Sequence, residues 1–248
     1  MPNPGSRRVV NRGGAGAVAF IALMLAASPV HSLLIDDFTQ SQYLVTNGTG
    51  SESDQVTGPE DHLLGGQRRM VNTISHNPSS SSLSTYVNGW GNGNFSHNQG
   101  RQVEGHSQLI WKDLGGATGF DFTEGISNPG IRLDVVDASS GLQIEFAFAS
   151  SGGTATGDLS LTGGSASEFL DFATFKSSEN GLGPLDIISQ SESLVMTTNP
   201  EETPGSNVIM DQLATAEVTQ IPVPGSLALL AVGLIGLGAV FLYRRRSG

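Results

Sequence analysis

The residues with the most to offer chemically are aromatic and acidic. Trp90, Trp111 and Tyr86 carry flat faces, the shape that covers the C–H surface of a sugar ring while neighbouring polar groups fix its hydroxyls. Trp90 stands in the glycine- and asparagine-rich stretch "NGWGNGN" and is the best placed of the three. Trp111 lies in "LIWKDL", where strand alternation also reads it as half core. Asp36, Asp37 and Asp211 supply hard oxygens of the kind calcium prefers. Calcium takes about 6–8 such ligands, and three acids do not fill that shell. With no Asp-x-Asp-x-Asp-Gly loop present, the same three acids also read as solvated charges at strand ends. Structural Ca2+ is the only cofactor these residues suggest.

No catalytic constellation emerges beside them. His62, His76, His97 and His106 are unequally spaced, with no i, i+4 or strand i, i+2 pair of the kind that builds a zinc site. The Gly-x-Ser-x-Gly turn of a serine hydrolase is absent. Glycosidase chemistry needs two carboxylates flanking a cleft, and 23 acidic residues make coincidental pairs too easy to nominate. The chain has no cysteine, which removes disulfides, thiolate metal sites, a cysteine nucleophile and a lipidated N-terminal cysteine. A noncatalytic protein is expected.

Charge narrows the partners. Of 12 basic residues, Arg7, Arg8, Arg12, Arg244, Arg245 and Arg246 lie at the ends, whereas all 23 acids fall between Asp36 and Glu217. The middle therefore carries 6 minus 23, or −17. A phosphate backbone would be repelled by such a surface, so nucleic acid is excluded as a partner.

The ends explain where the middle works. Residues 1–32 have a basic start, an apolar stretch over 15–27, and a compact Val30-His31-Ser32 site, the pattern of a secretory signal with Leu33 first in the mature chain. Residues 225–243 form a 19-residue uncharged stretch. As a helix it would extend ~28 Å, enough to cross a membrane. Arg244, Arg245 and Arg246 follow directly and by the positive-inside tendency stay in the cytoplasm, leaving the chain from 33 to about 220 outside. Before the span, Ile221, Pro222, Val223 and Pro224 hold an extended segment, because proline lacks an amide donor and fixes its backbone angle.

This tail, "IPVPGSLALLAVGLIGLGAVFLYRRRSG", resembles the PEP-CTERM sorting signal of bacterial exported proteins. That signal orders a short proline motif, a Gly/Leu-rich membrane helix and an arginine cluster. Val223 stands where the family most often has an acidic residue. The resemblance implies processing by an exosortase, in bacteria that make exopolysaccharide and biofilm. The alternative is an ordinary single-span anchor.

Stepping inward, Leu142, Ile144, Phe146 and Phe148 alternate with polar or small residues across one strand. Further strands are expected at 33–38, 70–74, 131–137, 157–162, 168–175, 192–198 and 207–213, with polar loops at 46–60 and 77–84 and a tight turn at 91–94. The fold class is all-β, a β-sandwich. The order "LLIDDF", "LLGGQRRMVNTI", "LIWKDLGGATGFDFTEG", "NVIMDQLATAEV" resembles galactose-binding-like jelly-roll modules. The resemblance implies that the first and last strands are neighbours, with Asp36 or Asp37 brought near Asp211. The organisation is thus a signal peptide (1–32), an extracellular β-sandwich domain (33–215), a linker with the sorting motif (216–224), a membrane helix (225–243) and a basic cytoplasmic tail (244–248). Function is expected to be that of an exported, noncatalytic binding or structural component of the envelope or exopolysaccharide. The alternatives are a secreted carbohydrate-active enzyme and a simple type I inner-membrane protein.

Overall fold

Between Gln143 and Ser150, Ile144, Phe146 and Phe148 are fully buried, while Gln143, Glu145, Ala147 and Ala149 face the other way half-exposed. A strand with one apolar face must pack that face on a second layer. The computed structural model, which describes residues 32–89, 91–178 and 181–217, supplies that layer. It is an all-β sandwich of two seven-stranded sheets.

The first sheet runs β11 (Ala166–Asp171), β8 (Pro129–Ala138), β14 (Asn207–Glu217), β6 (Phe95–Gln99), β5 (Leu83–Val87), β2 (Gln42–Thr46), with β1 (Leu34–Asp36) also paired to β14. The second runs β12 (Lys176–Ser177), β10 (Gly153–Ser160), β9 (Gln143–Ser150), β13 (Ser193–Thr198), β7 (Glu104–Lys112), β4 (Gln67–His76), β3 (Gly50–Thr57). Every pairing is antiparallel. Among the described residues one short α-helix, α1 (Pro184–Ile188), packs beside β9 and β10. The first and last strands lie side by side, with Leu34 opposite Ala214 and Asp36 opposite Leu213.

Leu133, Val208 and Met210 from one sheet meet Leu109, Phe146 and Met196 from the other in a single core. Each such side chain removed from water contributes about 1.5–3 kcal/mol, and a one-residue slip would turn it outward, so the core also sets the register. The two ends of the sandwich are filled differently. At one, Phe122, Phe148, Phe172 and Phe175 form an edge-to-face chain, with Phe122 and Phe148 ring centroids 4.9 Å apart and Phe148 and Phe172 5.3 Å apart. Elsewhere between the sheets lies a buried polar network. Asn72 Oδ1 accepts from Thr85 Oγ1 (2.6 Å) and Ser107 Oγ (2.9 Å), and Ser107 Oγ also contacts His97 Nδ1 (2.8 Å).

Several sequence expectations need correction. Residues 46–60 are not one loop: after three connecting residues, β3 pairs along its whole length with β4. Its side chains are nearly all exposed, which is why it carries no strand-like alternation of polarity. The segment 77–84 gives up its last two residues to β5. The strand expected at 168–175 ends at Asp171, whose carboxylate caps a short 3-10 turn over Phe172–Thr174 by accepting from the Ala173 amide (2.8 Å). The signal peptide, sorting motif, membrane helix and arginine tail lie outside the described residues. Among the described residues no helix is long and apolar enough to cross a membrane.

Candidate functional site

Short runs on two neighbouring strands build an aromatic platform. In β2, Gln42 and Thr46 turn inward and Tyr43 outward; in β5, Leu83, Thr85 and Val87 turn inward and Tyr86 outward. The register places Tyr43 directly opposite Tyr86. Their ring centroids are 4.6 Å apart at an interplanar angle of 37°, and Tyr43 remains 58% exposed. A hydrogen bond with Tyr86 raises the Tyr43 phenol above its ordinary value and ties the two rings together. Large aromatic side chains left in water on a sheet face are the arrangement to which a flat, amphipathic ligand can bind.

Two clefts flank the platform and share Tyr86. The larger, about 580 Å³, is lined by Ser41, Gln42, Tyr43, Asp54, Asn88 and Gly89 among others. The second, about 410 Å³, is lined by Ser81, Ser82, Ser84, Tyr86, Asn98 and Gly100. Asp54 reaches the first cleft from the other sheet because β3 and β2 are both edge strands and pack against each other. Asn88 shapes the rim. It adopts a positive φ of 51°, which asparagine tolerates better than most residues. Its Nδ2 donates to the Thr39 carbonyl (2.6 Å) and Ser41 Oγ (3.3 Å), and its Oδ1 accepts from the Gly93 amide (3.0 Å). Gly89 lies against Tyr86: a Cβ there would meet Tyr86 Cδ1 at 3.3 Å.

The cleft floor is tied to the core. Gln42 is 5% exposed and its Oε1 accepts from Arg68 Nε (3.0 Å), while its Nε2 is buried without a hydrogen-bond partner. Arg68, itself fully buried, also donates to the Gln40 carbonyl (2.7 Å) and to Asp36 Oδ2 (2.5 Å). Burial pushes the Asp36 carboxyl up from its ordinary value, against the opposing pull of the Arg68 charge and the Arg68, Phe38 and Trp111 hydrogen bonds.

Three of the expected site residues therefore change role. Trp111 is fully buried and spends its indole N–H on Asp36 Oδ2 (3.1 Å), so it has no face to offer a sugar. Asp36 is sealed in the core, and both its oxygens accept protein donors. Asp37 is engaged by His62 Nδ1 (2.5 Å) and by the Thr39 hydroxyl (2.6 Å). Burial raises the Asp37 carboxyl, but these bonds outweigh it and the net direction is down. Asp211 is exposed on β14. The three acids do not converge, and among the described residues no group of three or more His, Asp or Glu could hold a metal ion. Tyr86 alone of the aromatic candidates is described at the surface; Trp90 lies outside the described residues. Tyr43 escaped sequence reasoning because "QYLVT" is too short to reveal its phase. The available signal was the pairing of "QYLVT" with "LSTYV" as antiparallel neighbours.

Another polar cluster stands at the surface. Glu202 accepts from Ser75 Oγ and contacts His106 Nδ1 (2.9 Å). The carboxylate sits between hydroxyl and imidazole, so the imidazole is not placed to take the serine proton. The contacts pin the 199–205 turn onto β4 and β7 instead.

No protein-family model matches the chain, and no curated protein matches it. Among solved structures, a family 11 carbohydrate-binding module from Clostridium thermocellum in complex with a β-1,3-1,4-mixed-linked tetrasaccharide is 13% identical with a TM-score of 0.40, over 77% of this chain and 98% of that one. A family 29 carbohydrate-binding module is 10% identical with a TM-score of 0.27, over 71% of this chain and 86% of that one. An exo-β-agarase is 13% identical with a TM-score of 0.36, over 74% of this chain but only 24% of the enzyme. TM-scores of this size transfer neither a ligand nor a site.

Proposed function

We propose that the sandwich is a noncatalytic polysaccharide-binding domain whose contact surface is the outer face of β2, β5 and β6. The observation that carries this reading is the Tyr43–Tyr86 pair, an aromatic surface left in water between two polar clefts. Aromatic stacking supplies affinity, and the hydroxyl, amide and carboxylate groups of Ser41, Asp54, Ser84 and Asn98 supply direction, the division of labour that sugar recognition requires. In this reading the protein is exported by its first 32 residues and sorted through Ile221, Pro222, Val223 and Pro224 by an exosortase-type enzyme. The arginines at 244–246 hold its tail in the cytoplasm until processing, and exopolysaccharide is the natural partner.

Native gel electrophoresis of the purified chain through gels cast with soluble polysaccharides tests the binding claim. Retardation should fall about tenfold or more in Tyr43→Ala and Tyr86→Ala, the size of loss typical of a central aromatic contact, with unfolding midpoints little changed. Full retardation of both variants would discard this face. Release of reducing ends on incubation with the polymer would favour the enzymatic alternative. The sorting claim is read separately, by the mass of the native protein: an intact C-terminus ending at Gly248 would contradict processing.

A further inference from the structure

We infer that this face takes an internal stretch of an uncharged polysaccharide chain, neither a chain end nor an anionic polymer. The inference rests on the proposed binding role and refines it. Tyr86 lines both clefts, so the two adjoin at its ring and together offer a chain one track, with Tyr43 lining the larger. Cleft volumes of about 580 and 410 Å³ each fall in the range that holds a drug-sized ligand, about 300–1,000 Å³, so together they exceed a single sugar. A site that recognises a terminus needs a wall beyond the last ring. Here the aromatic surface has a cleft on each side, which suits a chain that enters and leaves.

Charge selects the kind of chain. The residues lining the two clefts include one carboxylate, Asp54, and no lysine or arginine. The cations elsewhere in the described residues do not redress this. Arg68 is buried on Asp36, and Arg132 is held by Asp134 at 2.5 Å on β8. Arg69 and Lys112 line a different cleft on the other sheet. Lys176 is at the far edge of that sheet, in β12. Arg101, next to Gly100 in sequence, is exposed and is not among the residues lining either cleft. With −17 between residues 36 and 217, uronate or sulfate groups would meet a repulsive field with no cation lining either cleft, whereas hydroxyls can donate to Asp54 and exchange hydrogen bonds with Ser41, Ser84 and Asn98.

The test uses the full chain in mild detergent, with dextran, galactomannan and hydroxyethylcellulose as uncharged probes and alginate and carrageenan as anionic ones. At least one uncharged polymer should retard the chain. The anionic polymers should bind at least about tenfold more weakly at physiological salt, where screening beyond ~8 Å leaves only local repulsion. Cutting the bound polymer to di- and trisaccharides should weaken binding by about tenfold or more, because each fragment fills only part of the track. Asn98→Trp, an exposed substitution that plugs the second cleft, should weaken polymer binding about tenfold. Tighter binding to alginate or carrageenan, or capacity that rises with the number of chain ends, would overturn this inference while leaving a carbohydrate-binding face intact. Retardation by none of the five polymers would remove the binding role and this refinement together.

Discussion

His97 should make the sandwich acid-labile in a pH range where its surface carboxylates do not. The ring is 1% exposed, between Ser107 Oγ on one side and Ser206 Oγ (3.4 Å) on the other. Burial drives its pKa from 6.5 down to about 4, with a hydrogen bond to Gln99 opposing the shift and the neighbouring His106 adding to it. The unfolded chain binds this proton near pH 6.5, the folded chain near 4. Between those values the unfolded state holds more protons, so stability falls as pH falls, and the loss is complete below about 4. A shift from 6.5 to about 4 corresponds to about 3 kcal/mol, a large part of a small domain's stability.

The assay is urea unfolding near pH 7.5 and about pH 4.5 for the wild type and His97→Asn, with the pH-dependent difference compared rather than the absolute values. Loss of the imidazole's contacts lowers stability at both pH values, but the variant's decline between them should be smaller by about 2.5 kcal/mol, most of the full effect. Other groups act elsewhere or in the opposite sense. His62 is raised by the Asp37 hydrogen bond, so its contribution is present below its unfolded pKa and fades as pH rises. Glu145, raised by burial and by Asp158 across the strand pair, favours the fold at lower pH. Glu202 and Asp134, lowered by Ser75 and Arg132 respectively, lose their contributions as pH falls through their folded pKa values, below the range in question. Equal pH dependence in variant and wild type would refute the placement of a neutral, sealed imidazole between the sheets.

Removing one partner of the buried ion pair by Arg68→Met should cost about 3–5 kcal/mol in urea unfolding, because Asp36 is left charged or forced to protonate in the core; adding Asp36→Asn should recover part of that loss. Gly105→Ala should destabilise by about 1–3 kcal/mol or more, since the added Cβ would stand 2.3 Å from the Thr73 carbonyl on the paired strand and only a shift of β4 against β7 could relieve it.

How much of this was legible depends on whether one residue's polarity reports its facing. In β9 it does: three buried aromatics and aliphatics alternate with small or polar residues, and the strand, its sheet and its inward face follow from the sequence. In "LIWKDL" it does not, because Leu109, Ile110 and Trp111 are all apolar; only the register against β4 and β13 shows that Leu109 and Trp111 face inward together and Ile110 outward. "QRRM" poses the same difficulty with charge. Arg68 shares its phase with Met70 and is buried, while its neighbour Arg69 is exposed, and nothing local distinguishes them. β3 is invisible for a related reason: as an edge strand it is polar apart from Val56, and Glu52 and Asp54 are the kind of charges that deter pairing with another chain.

The acid that resembles a metal ligand in sequence therefore has a different use, and it bears on the proposed binding face. β2 is an edge strand, and edge strands fray unless something beyond their ladder holds them. Here Gln42, the first residue of β2, and the Gln40 carbonyl just before it both take hydrogen bonds from Arg68, which belongs to the opposite sheet and is itself fixed on Asp36 and, through that carboxylate, on Trp111. A rigid aromatic platform loses less entropy on binding than a mobile one. The buried chain Trp111–Asp36–Arg68–Gln42 thus staples the strand carrying Tyr43 across the sandwich. Residues that sequence reasoning assigned to ligands act one layer beneath the proposed contact surface.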